Sequence, residues 1–285
     1  MIGSKKILCV ITARAGSKGI PGKNLRLLLG KPLFMWSVEA ALESKYIDRV
    51  SISSNCSKVE KIFDDFIEPT IKKMVGMSIS HRDERKLLNK LLFFVKRPDN
   101  ISGDLSKNED ALIHAVEFYK EKHREEYDVV INLQPTSPCR SSNLLDRCIE
   151  EYHSGKYDSL LTGSKMTPFM WRKRDKKWEY GCTKWGWQNT DHLEHFPDGD
   201  HFMSVKEDCC KRKMRQEFEE SEFWLHDSGS VYIVDSKILL DTECRIGYNP
   251  CVFETKEMNN IQIDTEFDFE LIENMAKVRK MESLI

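Results

Sequence analysis

Ile7-Leu8-Cys9-Val10-Ile11-Thr12 runs without interruption into Ala13-Arg14-Ala15-Gly16-Ser17-Lys18-Gly19-Ile20-Pro21-Gly22-Lys23-Asn24. The first six residues are almost wholly apolar, as a strand buried on both faces requires. Three glycines and a proline then punctuate the chain, so the strand opens into a loop. That opening predicts an α/β fold, and the following sequence keeps to it.

Phe34, Val38, Ala41 and Leu42 recur at one-face helical spacing, and Val50–Ser54 reads as a second strand. Leu112, Ala115, Val116 and Tyr119 mark another helix, with Val129–Leu133 the strand after it. Leu145, Cys148, Ile149 and Tyr152 mark a third helix before a strand at Leu160–Thr162. This βα series predicts a mostly parallel sheet flanked by helices. Periodicity then fails between Met166 and Trp224, where Trp171, Trp178, Trp185, Trp187 and the charged Arg172–Lys177 lie. We read residues 166–226 as an inserted subdomain rather than more sheet, with 1–165 and 227–285 forming the α/β domain. Gly229–Asp235 and Pro250–Glu254 restore strand character, and Phe267, Leu271, Met275 and Val278 mark a closing helix.

Composition limits the function. The 285 residues carry 44 Lys+Arg against 46 Asp+Glu, a formal net charge of −2, which removes the electrostatic case for a general nucleic-acid binder. At 40% hydrophobic residues the chain has material for a core. No apolar run nears the roughly 18 residues of a membrane helix, and Met1–Val10 is too short in its apolar part for a signal peptide. The nine cysteines have no framework spacing and read as reduced thiols, so a cytoplasmic enzyme without membrane or nucleic-acid partners is expected.

The 13–24 loop has the chemistry of a phosphate cradle. Its glycines permit close approach, its backbone N–H groups can point inward, and Arg14, Lys18 and Lys23 supply positive charge. It is not a Walker A loop, since five residues rather than four separate Gly16 from Gly22 and Asn24 stands where Ser or Thr belongs. Nor do glycines at 16, 19 and 22 match a dinucleotide fingerprint. An ordinary basic turn satisfies the spacing equally well. Leu133-Gln134-Pro135-Thr136-Ser137-Pro138-Cys139-Arg140 ends a second strand, where Gln134 can hydrogen-bond a substrate or the prolines can simply stiffen a turn. In Ile263-Asp264-Thr265-Glu266-Phe267-Asp268, Asp264 or Thr265 can cap a helix, or Asp264 can hold a magnesium ion whose other ligands are phosphates.

In order, A-R-x-G-S-K-G-x-P-x-K-N, R-P at Arg97, L-Q-P-T-S-P-x-R, G-x-x-Y-I from Gly229 through Tyr232, and I-D-T-E-x-D resemble the acylneuraminate cytidylyltransferases. The resemblance runs from about Ile7 to Ala276. It implies a nucleotidyltransferase-type α/β fold with an inserted dimerisation subdomain, and a homodimer. It also implies a Mg²⁺-dependent reaction in which an acidic nine-carbon sugar attacks CTP and releases pyrophosphate. By the same resemblance Arg14, Gly16, Ser17 and Lys18 bind triphosphate, with Lys23, Asn24 and Arg97 at the nucleotide. Gln134, Ser228, Tyr232 and Arg245 fall to the sugar. Arg215 and Gln216 reach the neighbouring subunit's site, and Asp264 binds metal. Arg14, Lys18 and Asp264 are the expected catalytic groups.

This chain departs from the family at three places. Gln262 replaces the first aspartate of the usual D-x-D-T and is the expected second metal ligand. Ser228 stands where Asn is common, and Arg245-Ile246 where aromatics line the acyl pocket. These leave the sugar open, and with it two rivals: activation of another α-keto acid sugar, or a non-catalytic nucleotide- or sugar-binding regulator. His192, His195, His201, Cys182, Cys209 and Cys210 lack zinc spacing, and Lys211-Arg212-Lys213 reads as a solvated charge run.

Overall fold

The computed structural model describes residues 4–16, 19–65, 92–155, 157–167, 170–174, 177–181, 214–255 and 261–279. The chain divides into two compact units, Met1–Ser164 with Asp227–Ile285, and Lys165–His226.

In the first unit β1 (Ile7–Thr12) is buried at all six positions. It pairs in parallel with β4 (Arg49–Ser54) on one side and β6 (Val129–Leu133) on the other, Cys9 lying opposite both Val50 and Ile131. β5 (Leu92–Lys96) adds in parallel beyond β4. β10 (Trp224–Asp235) runs antiparallel to β6, and β11 (Pro250–Glu254) pairs in parallel with β7 (Ser159–Met166). The seven strands take the order β11-β7-β10-β6-β1-β4-β5, the mostly parallel α/β sheet expected. A two-residue ladder, β2 (Leu27–Leu28) with β3 (Lys31–Pro32), folds the chain into the first helix.

Strand alternation sends Ile7, Cys9 and Ile11 to one face of the sheet. There they meet Phe34, Met35 and Val38 of α1 (Leu33–Glu43) and Leu145, Cys148 and Ile149 of α3 (Ser142–Ser154). Leu8 and Val10 point the other way, onto Leu112, Ala115 and Val116 of α2 (Asn108–Phe118). Ser141 starts α3 by accepting the Leu144 amide at 3.2 Å, a cap worth about 1 kcal/mol. A third cluster joins Ile20, Leu28, Leu33 and Trp36 to Ile263, Phe269, Ile272 and Ala276. It locks the final helix, α5 (Glu266–Arg279), beneath the loop that follows β1.

Five elements differ from the sequence reading. α5 buries Phe269, Ile272 and Ala276, whereas Phe267 is 71% exposed. Its phase is set by Ile263, buried just upstream, and by a Thr265–Asp268 cap. In that cap Asp268 accepts the Thr265 amide at 2.8 Å and donates its own amide to the Thr265 hydroxyl at 3.2 Å. Two strands, β8 (Met170–Arg174) and β9 (Lys177–Gly181), form an antiparallel hairpin in the second unit, outside the main sheet. The consecutive charges Arg172-Lys173-Arg174 of β8 break the alternation. β5 and the seven-residue α4 (Ser236–Thr242) are absent from the sequence reading, α4 spanning only about two turns. The second unit also holds single 3-10 turns at Arg215–Glu217 and Glu220–Glu222, and Lys165 lies over the Phe223 ring and pairs with Glu220. The Cys182–Lys213 stretch, with its His and Cys residues, and Trp185 and Trp187 lie outside the described residues, as do the Trp171 and Trp178 side chains.

Candidate active site

β1, β4, β5 and β6 are parallel neighbours, so the loops leaving their carboxyl ends share one edge, where open α/β sheets bind ligands. A cleft of about 390 Å³ lies there. It is lined by Arg14, Gly16, Gly19, Lys23, Asn24, Arg97, Gln134 and Asp264, and by Thr12, Asn108, Pro135 and Thr136.

The loop after β1 is held in shape mainly by bonds from its backbone. Ala13 donates its amide to Ser53 O at 3.0 Å and Ala15 donates to Asn55 Oδ1 at 3.0 Å, tying the loop to the end of β4. Gly22 takes φ +66°, a left-handed conformation that favours glycine, and starts the one-turn 3-10 helix Lys23–Leu25. That turn directs the Asn24 amide back to Arg14 O, 3.0 Å away. Gly19 lies so close to the Asp264 carbonyl that a methyl at its Cα would collide with it. This close backbone approach is the physical demand on that glycine.

Among the described residues three cations reach the cleft. Arg97 is 4% exposed and donates to Ser53 Oγ at 3.0 Å and Ser53 O at 2.7 Å. Burial, and secondly the Arg14 charge, push its guanidinium down to about 10, so it stays charged at neutral pH. Arg14 donates to Gly103 O and lies 3.6 Å from Asp104. Lys23 is buried, and its ammonium donates to Ile263 O at 2.6 Å and Asp264 Oδ1 at 3.0 Å. Lys23 therefore ties the first loop to the 261–264 segment as well as charging the cleft. His114, close enough to feel the Arg97 charge, is held below its ordinary value by burial first and Arg97 second.

Asp264 is the one carboxylate lining the cleft among the described residues, and its side chain is 66% exposed. Among the described residues no group of three His, Cys, Asp or Glu side chains gathers to hold a metal. A single open carboxylate fits a magnesium ion that takes its other oxygens from phosphates and water. Gln262 does not join it. Its Nε2 donates to Ser228 O at 2.8 Å, its side chain packs over Gly229 at φ +61°, and it is not among the residues lining the cleft. An amide supplies a donor for that carbonyl, and an aspartate has none to offer.

The expected residues thus divide. Arg14, Gly16, Lys23, Asn24, Arg97, Gln134 and Asp264 converge on the cleft, while Ser17 and Lys18 lie outside the described residues. Ser228 is fully buried, bonding Thr162 O at 3.0 Å and the Thr162 hydroxyl at 2.7 Å, so its hydroxyl faces no substrate here. Tyr232 is 3% exposed and donates to Asp227 at 2.8 Å, and burial raises its phenol to about 12. Arg245 lies 4.1 Å over the Tyr232 ring and 3.5 Å from Glu109. Arg215 and Gln216 are exposed in the second unit. Sequence reading missed Thr12, Asn108, Pro135 and Thr136. Thr12 and Asn108 carry no motif; their place at the end of β1 and the start of α2 is what brings them in.

Residues 8–84 match the Cytidylyltransferase family model. The chain is 24% identical to the N-acylneuraminate cytidylyltransferase A of Danio rerio, covering 95% of this chain and 50% of that protein. It is 25% identical to the pseudaminic acid cytidylyltransferase of Campylobacter jejuni strain 81-176, over 96% of this chain and 97% of the relative. It therefore spans half of the first protein and nearly all of the second. Among solved structures, a CMP:2-keto-3-deoxy-manno-octonic acid synthetase complexed with CTP superposes with a TM-score of 0.53 at 14% identity, covering 96% of this chain and 99% of that one. That likeness establishes the fold.

Proposed function

We infer that this chain, similar along nearly its whole length to acylneuraminate and pseudaminic acid cytidylyltransferases, transfers CMP from CTP to the anomeric hydroxyl of a sialic-acid-like nonulosonic acid. One observation carries the reading: a cleft at the carboxyl edge of the sheet where Arg14, Arg97 and Lys23 converge, Arg97 held by the Ser53 carbonyl and hydroxyl, and Lys23 and Arg14 each facing one carboxylate besides a backbone carbonyl. Three cations against two carboxylates leave positive charge for a bound polyanion.

In the reaction the sugar oxygen bonds to the α-phosphorus, the bond to the β-phosphate oxygen breaks, pyrophosphate leaves, and the hydroxyl proton passes to solvent. The transfer needs little covalent help, so the protein's work is alignment and charge stabilisation. Arg14 and Arg97, with Lys18 and Ser17 of the same loop, hold the triphosphate. Asn24 braces the loop backbone, and Gln134 orients the sugar. Asp264 would hold a magnesium ion, which when bound neutralises phosphate charge and organises the leaving pyrophosphate.

The reading extends to a cytoplasmic homodimer in which Arg215 and Gln216 serve the partner's site. The resemblance supports the dimer. The cytoplasm is supported by the free state of all six described cysteines, Cys9, Cys56, Cys139, Cys148, Cys244 and Cys251. No helix among the described residues is long and apolar enough to cross a membrane.

The test is pyrophosphate release from CTP across a panel of nonulosonic acids, with thermal shifts in CTP, ATP, GTP and UTP. CTP is expected to raise the melting temperature most, since a ligand that binds only the folded state stabilises it. Equal shifts with all four nucleotides overturn the cytidine assignment. CTP binding without turnover of any sugar identifies a regulator instead.

A further inference from the structure

Arg140 is 1% exposed and makes no ion pair among the described residues. Its fork is spent on neutral acceptors. Nε donates to Ser137 O at 3.1 Å and Nη1 to Ser230 O at 2.7 Å. Nη2 donates to Ser137 O at 2.7 Å, to Ser37 Oγ at 3.3 Å and to Gln134 O. A buried cation without a counter-ion is expensive, and an apolar side chain would fill the same volume at lower cost. Packing alone does not account for it.

The acceptors show what the charge does. Gln134 O and Ser137 O belong to the turn whose Gln134, Pro135 and Thr136 line the cleft. Ser230 lies on β10 and Ser37 on α1, so one side chain ties two elements to that turn. The coupling continues past the turn. Thr136 O accepts the Ile263 amide at 2.8 Å, and Ile263 O accepts the Lys23 ammonium at 2.6 Å. Asp264 follows immediately. Two walls of the cleft, 134–136 and Asp264, thus hang on one hydrogen-bonded chain rooted at Arg140.

We propose that Arg140 is a positioning residue for the transfer reaction, fixing the Gln134–Ser137 turn and, through the Thr136–Ile263 bond, the carboxylate of Asp264. The proposal rests on the reaction inferred above. Lysine keeps the charge but lacks the planar fork needed to reach Gln134, Ser137 and Ser230 together.

The experiment compares the whole wild-type chain with Arg140→Lys. Turnover in pyrophosphate release is expected to fall on the order of ten- to a hundredfold, because small displacements of aligned groups carry such penalties. KM for CTP is expected to change by less than about threefold. Amide exchange followed by NMR is expected to accelerate at 134–137 and 261–265 and to hold at β1 and β4. Unchanged turnover, or exchange accelerated equally across the sheet, overturns the proposal. Should Arg140→Lys not fold, exchange in the wild type decides. Ser137 and Ile263 amides opening at one rate support a single unit, and rates differing by more than about tenfold break it. Should the wild type release no pyrophosphate with any sugar, the reaction fails while the exchange comparison still judges Arg140.

Discussion

The cleft at the end of β1 and the Tyr232–Arg245 cluster both concentrate polar groups, but they balance charge to different degrees. In the cleft Arg97 is held by the carbonyl and hydroxyl of Ser53 alone, while Lys23 adds Asp264 at 3.0 Å to Ile263 O and Arg14 adds Asp104 at 3.6 Å to Gly103 O, three cations against two carboxylates. In the cluster Arg245 faces Glu109 and the Tyr232 hydroxyl is committed to Asp227. Cations held by dipoles keep a field that draws in a polyanion. A cation matched by a carboxylate retains shape and hydrogen-bonding direction but little net charge. The first region gathers its cations at an open edge of the sheet, whereas in the second Arg245 is already engaged from within the protein.

The comparison breaks most visibly at the cleft's own charges. Arg14→Ala and Asp264→Ala are each expected to lower kcat/KM for CTP by about a hundred- to a thousandfold, with the melting temperature close to wild type in Arg14→Ala and lowered in Asp264→Ala, which strips the buried Lys23 of its carboxylate. Steady-state pyrophosphate assays check this, and near-native rates in both would reduce the loop to a structural turn.

A smaller effect is expected from geometry without charge. Gly19→Ala forces a methyl into the Asp264 carbonyl and should cost about 1–3 kcal/mol in unfolding free energy. At Gly16 the nearest atom to an added Cβ is Asp104 Oδ1 at 4.0 Å, so Gly16→Ala should leave the denaturant midpoint unchanged. Equal midpoints for the two variants would mean that the loop does not pack against Asp264 as described.

The cluster is sharpened by Glu109→Gln, which removes the carboxylate facing Arg245. Preference for sugars with an acidic substituent over neutral ones should rise about tenfold in kcat/KM, while KM for CTP holds. An unchanged preference would separate this cluster from sugar selection.

Gln262→Ala gives the smallest change. Loss of its bond to Ser228 O is expected to cost about 1 kcal/mol of stability and to leave the magnesium concentration for half-maximal rate where it was. A raised magnesium requirement would return Gln262 to the metal.

How much of this was legible in the chain depends on how local each feature is. The β1 strand and the loop after it, the Val129–Leu133 strand and the Gln134 block, and a Thr265 cap before α5 all follow from residues close in sequence. So did Arg14, Lys23 and Gln134, as side chains of suitable chemistry in loops after strands, and Asp264, as a carboxylate before a helix, whereas Asn24 came from the family resemblance. The face of α5 was not legible. Two apolar stripes compete along it, and the choice belongs to Ile20, Leu28 and Leu33, more than 230 residues upstream of Phe269.

What the sequence determined by itself was periodicity and chemistry: buried strands, amphipathic helices, and a loop able to meet phosphate. Which groups share a pocket, and which are already spent, was decided by the tertiary structure. Gln262 and Ser228 sit in motifs that promised ligand contact, yet both are taken up by backbone carbonyls of neighbouring segments. Arg140 closes a motif that looked like a stiff turn, yet carries a buried charge linking β10, α1 and the cleft. Polar side chains have several possible partners, and only three-dimensional proximity selects among them, because an unsatisfied buried donor is costlier than any preference encoded locally.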